Sequence, residues 1–141
     1  VAERVRVGKR GRSLLFFAVL DLIISASLIS PDHATRRAPL YVWLDSVAPL
    51  WTWSLLWGFV GLICLWNAFR QRNDRWGFSA AIAIKVLWGM LSLAGWLLGG
   101  VERGYVSAAI WLAMAGWVWE IAGWPEPVKD RKGRVWTPPL P

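Results

Sequence analysis

Apolar residues fall along this chain in four long runs, residues 14–30, 50–69, 78–99 and 106–124, and the short segments between and around them hold nearly all the Lys and Arg. Each run can cross a bilayer, because a helix rises about 1.5 Å per residue and roughly 20 apolar residues cover a hydrocarbon core about 30 Å thick. The first run is the shortest and is expected to need a thin or locally pinched bilayer. Water-soluble helices of this length carry a polar face, and these carry almost none. The pattern predicts an all-α, polytopic integral membrane protein with four transmembrane helices in an antiparallel bundle. Its membrane domain is residues 14–124, flanked by a basic arm without pattern (1–13) and a Pro-rich basic tail (125–141). The connections at 70–77 and 100–105 are tight, which makes the second, third and fourth spans antiparallel neighbours. In the longest connection, residues 31–49, Leu40, Trp43, Leu44 and Val47 recur at helical spacing between Pro39 and Pro49. That spacing predicts a short helix lying on the outer surface.

The charges follow the membrane. A net charge of +7 would point to nucleic acid in a soluble protein, but here the basic residues are divided among membrane-adjacent segments, which excludes a nucleic-acid interface. Arg4, Arg6, Lys9, Arg10 and Arg12 precede the first span, Arg70, Arg72 and Arg75 follow the second, and Lys129, Arg131, Lys132 and Arg134 follow the fourth. Only Arg36, Arg37 and Arg103 lie in the other two connections. The positive-inside rule then places both termini in the cytoplasm and the chain in the inner, cytoplasmic membrane of a cell. Twelve Arg against four Lys fits a GC-rich bacterial or phage genome. The basic segments fix topology and attract anionic lipid on the cytoplasmic side. The basic start, the apolar run and the small residues Ser25, Ala26 and Ser27 also match a cleaved secretory signal, but Asp21 in the middle of the run argues against cleavage.

Thirteen Trp residues are too many for one role. Trp43, Trp51, Trp53, Trp66, Trp76, Trp124 and Trp136 fall at or just outside span ends, where amphipathic rings anchor at the headgroup level. Trp57, Trp88, Trp96, Trp111, Trp117 and Trp119 lie deeper and are read as packing against protein or lipid.

Three ionisable residues lie inside the spans, Asp21, Lys85 and Glu120, at a cost of about 2.5 to 3.5 kcal/mol each at a helix centre. Small residues share their helical faces: Ala18 and Ser25 with Asp21; Ala81, Gly89, Ser92, Gly95 and Gly99 with Lys85; Ala109, Ala113, Gly116 and Gly123 with Glu120. The second span has a comparable stripe, Ser54, Gly58, Gly61 and Ala68, with Asn67 beside it. Small residues mark the faces where membrane helices approach closely, and Gly95 with Gly99 gives the GxxxG spacing. Asp21 and Lys85 each lie seven residues into spans that enter from the same side, about 10 Å deep by helix rise. They are expected to be level. Glu120 is shallower, and Lys85 is expected to reach toward it, so that Asp21, Lys85, Glu120 and Asn67 form one intramembrane polar cluster.

Cys64 and His33 each stand alone, which leaves neither a disulfide nor a Cys and His metal site, and no cofactor is implied. The chain has no HExxH, GxSxG or Walker motif, and the expectation is a protein without enzymatic activity. Small size, several spans, short loops, basic ends and packing stripes give a holin-like layout, in which copies self-associate and permeabilise the membrane. The competing readings are an accessory or scaffold subunit docked on another membrane protein and a small ion-coupled transporter using the first-span acid. Against the transporter, Lys85 at the same depth would repel a cationic substrate and occupy Asp21.

Overall fold

The computed structural model describes residues 8–70 and 74–125, and these form six helices with no strand among them. They are α1 (Lys9–Ile29), α2 (His33–Arg37), α3 (Pro39–Val47), α4 (Leu50–Ala68), α5 (Arg75–Leu98) and α6 (Gly104–Ala122). α1, α4, α5 and α6 are each long and apolar enough to cross a membrane. α1 starts at Lys9, within the stretch expected to be a patternless arm, and its 21 residues rise about 31 Å, with Lys9, Arg10 and Arg12 in the first turn. The early start has a local cause. The Arg10 guanidinium donates to Asp74 Oδ1 at 2.8 Å and lies 5.2 Å above the Phe78 ring, pinning the first turn of α1 to the first turn of α5. The remainder of the arm, residues 1–7, lies outside the described residues, as do 71–73 and the tail from 126 to 141, including Trp136.

Two helix pairs form the molecule, α1 on α4 and α5 on α6, joined through α4 against α5. Small residues set both seams. Along α1 and α4, a Cβ at Gly58 would meet Ser25 Oγ and one at Gly61 would meet Leu22 and the Ala18 carbonyl. Between them, Ser25 Oγ donates to the Ser54 carbonyl at 2.8 Å and Ser54 Oγ donates to the Ser25 carbonyl at 2.7 Å. Such interhelical hydrogen bonds contribute about 0.6 kcal/mol each on average in membranes. On the other seam, a Cβ at Gly89 would meet Leu112 and the Ala108 carbonyl, Gly104 lies against the Ser92 carbonyl, and the Ser92 and Ser107 hydroxyls are 3.2 Å apart. In both pairs the contacts advance along one helix as they recede along the other. The turn between α5 and α6 is made by Gly100 at φ 65°, a left-handed position that suits glycine, with the Val101 amide donating back to the Gly95 carbonyl at 3.0 Å.

α3 begins with Pro39 at its first turn and buries Leu44, while Val47 is exposed. Its Trp43 ring lies across Gly95 and Gly99, so these two glycines receive a tryptophan from the 38–48 segment rather than another spanning helix. Trp53 also turns inward, and its indole N–H donates to the Leu44 and Ala48 carbonyls at 3.3 and 2.9 Å. Trp51, Trp66, Trp76 and Trp124 are exposed, and the Arg70 guanidinium sits 5.0 Å over the Trp66 ring. α2, which the hydrophobic pattern gave no reason to expect, is a single turn capped by Asp32, whose side chain accepts from the Thr35 amide at 2.7 Å.

The seams make a direct prediction. Gly61→Ile overpacks the α1 and α4 contact and should cost about 1 to 3 kcal/mol, read as a lower unfolding midpoint in detergent. A Cβ at Gly116 meets nothing within 4 Å, so Gly116→Ile should leave that midpoint unchanged.

Candidate functional site

Lys85 and Asp21 are both fully buried, and Lys85 Nζ donates to Asp21 Oδ1 at 2.9 Å. The helical registers bring them together. Asp21 shares the α1 face that packs Ala18 and Ser25 into the bundle, and Lys85 shares the α5 face of Ala81, Ile84, Trp88 and Gly89, all of them buried. The ammonium lies 5.2 Å from the centre of the Phe17 ring and 5.6 Å from that of Trp57, so two aromatic faces add to the attraction of the carboxylate. Trp57 is the hub of an aromatic chain, with ring centres 5.3 Å from both Trp88 and Trp111, and Trp53 stands 6.1 Å from Trp88. Residues from α1, α4, α5 and α6 thus converge on one point.

The pair is only partly satisfied. Asp21 Oδ2 and Trp57 Nε1 are buried without a hydrogen-bond partner. Taking two charges out of water costs several kcal/mol per ion, and their attraction offsets this only when geometry and remaining hydrogen bonds are good. The arrangement therefore adds little net stability, while losing either partner would strand the other charge. Chemically it is a closed clasp, with the carboxylate engaged by a fixed ammonium and both out of solvent's reach.

Two members of the expected cluster are not there. Glu120 is exposed on the outside of α6, with no ion pair among the described residues. The inward face of α6 is built instead from Ala108, Trp111, Ala115, Val118 and Ile121. Trp111 must face inward to reach Trp57, and this rotates the small-residue stripe outward. Gly116 and Gly123, expected to pack, are exposed with it. Asn67 is buried but separate, since its Nδ2 donates to the Ile63 carbonyl at 2.8 Å on its own helix, and it packs against Gly77. Cys64 is buried and donates to the Gly77 carbonyl at 3.4 Å, whereas His33 is exposed in α2.

The aromatic wall and the Arg10 and Asp74 bridge escaped the sequence reading. Their signals are present: Trp53 and Trp57 are spaced i, i+4 on one face, and Asp74 is an acid in a connection otherwise rich in Arg. No protein-family model, no curated protein and no solved structure matches the chain. Fold and site together define a small all-helical membrane protein with a charge pair sealed in a Trp-rich core.

Lys85→Met should destabilise the detergent-solubilised protein by about 3 to 5 kcal/mol, because it leaves Asp21 buried and unpaired. Combining it with Asp21→Leu should recover most of that loss. Glu120→Gln should change stability by less than about 0.5 kcal/mol and add independently to Lys85→Met, as expected of an exposed, uncoupled site.

Proposed function

We propose that this chain is a non-enzymatic membrane protein that acts by assembling in the plane of the bilayer, with holin-like permeabilisation by self-association as its specific role. In this reading it sits in a cytoplasmic membrane as an antiparallel bundle with both termini inside, as the distribution of Lys and Arg favours. One observation carries the proposal. Of the four small-residue stripes, those of α1, α4 and α5 are covered within the bundle except for Gly99 at the end of α5, whereas that of α6 is bare, with Ala109, Ala113, Gly116 and Glu120 all exposed. Small residues on a membrane helix are of use where another backbone comes close, and a second copy supplies one. Glu120 stands at the end of the bundle that also bears Lys9 and Arg12, so an ion pair between copies is within the chemistry available there.

The transporter reading fits less well. Asp21, the only acid in the first span, is already engaged by Lys85, and a carboxylate held by a fixed cation is a poor site for a second one. The accessory-subunit reading uses the same α6 face with a different protein on it.

Cysteines placed at Gly116 should cross-link copies in native membranes. Inducing the chain alone in bacteria should abruptly depolarise the membrane at a defined time, and Gly116→Ile should abolish both effects while leaving abundance unchanged. Undisturbed potential and growth with the protein abundant in the membrane would exclude permeabilisation, and failure to cross-link would exclude self-association through α6.

A further inference from the structure

Beside the bare α6 stripe lies a different feature, a lateral groove of about 750 Å³ between the start of α1 and the second half of α6. Its walls are apolar, formed chiefly by Phe16, Phe17, Ile110, Met114, Trp117 and Ile121, and Arg12 and Ser13 line it as well, next to Trp124. From the level of Ile110 to that of Ile121 it runs about 16 Å by helix rise. That is close to one leaflet, about half of a 30 Å hydrocarbon core. The polar residues Arg12 and Ser13 come from the first turns of α1, so the groove has a basic end and an apolar length. Arg12 is exposed and makes no ion pair among the described residues.

We infer that this groove holds one anionic glycerophospholipid, its phosphate on the Arg12 guanidinium and an acyl chain lying along α6. The chemistry along the groove selects this occupant: an apolar length about one leaflet deep with a basic residue at one end matches an acyl chain carrying a phosphate. The planar, permanently charged guanidinium pairs with phosphate oxygens two at a time, and Trp124 stands at the glycerol level, where indoles reside, with Trp117 about 10 Å deeper along the acyl length. The groove meets the exposed Gly116 face at Ala113, which belongs to both, but its basic end at Arg12 and its α1 wall of Phe16 and Phe17 lie outside that face.

The test uses the full chain in phosphatidylcholine vesicles, with a small fixed fraction of brominated phosphatidylglycerol or brominated phosphatidylcholine as quencher of tryptophan fluorescence. Brominated phosphatidylglycerol should quench more at equal mole fraction. Arg12→Gln should lower that preference about fivefold, the value of roughly 1 kcal/mol per basic residue near a membrane surface. Arg70→Gln, which removes the same charge at the same end of the bundle but away from the groove, should leave it intact. Trp117→Phe with Trp124→Phe should remove the excess quenching, which locates it in the groove, and Ala113→Phe should weaken it by filling the groove without changing charge. Equal quenching by the two lipids would overturn the inference. So would an excess that survives Arg12→Gln, or one that Arg70→Gln removes equally, since attraction would then be general to the surface.

Discussion

The Lys85 and Asp21 ion pair ties α1 to α5 inside the bundle and, with the packing of α4 on α5, sets how the two helix pairs meet. α1 otherwise packs on α4, and α5 on α6, through small residues and serine hydroxyls that work at close range within each pair. Those seams say nothing about how one pair is placed against the other. The ion pair supplies that information near the middle of the bundle, and the Arg10 and Asp74 bridge repeats it at the end. A buried charge with one possible partner has a single low-energy register, because any slip of α1 along α5 leaves a charge in an apolar interior. The pair thus specifies an arrangement more than it stabilises one.

The tryptophans complete the same design from the other side. Trp57 and Phe17 present ring faces to the Lys85 ammonium, and Trp88 and Trp111 pack edge-on or tilted against Trp57, so α6 is oriented by an aromatic contact rather than by its glycines. Turning Trp111 inward carries Gly116 and Glu120 outward. The packing of the core therefore determines which surface α6 offers to the membrane, and through it both the bare stripe and the groove beside Arg12. Sequence, core and outward chemistry form one chain of consequence here.

Much of this was legible before the structure. The four apolar runs gave the spanning helices, and equal depth along spans one and three paired Asp21 with Lys85. The rule that small residues mark packing faces worked for Ala18, Ser54, Gly61 and Gly89, where backbones approach closely. On α6 it does not mark the face that packs within the bundle, because it scores size alone and ignores a large aromatic residue able to claim the interior by stacking on another. Depth arguments also overreached at Glu120, since they place a residue along a helix but not around it. Hydropathy does not register a charged first turn held by Asp74, so it places the start of α1 too late, and the span-end position of Trp43 does not reveal that Gly95 and Gly99 leave room for its ring.

The most direct test of the central claim is charge reversal. Asp21→Lys and Lys85→Asp, made singly, should each put like charges together in the core and yield little folded protein in the membrane. The two reversals combined should restore folded protein well above either single variant. Single reversals that fold as well as the native chain, or a combined variant no better than either, would contradict the account that this ion pair sets the register of the bundle.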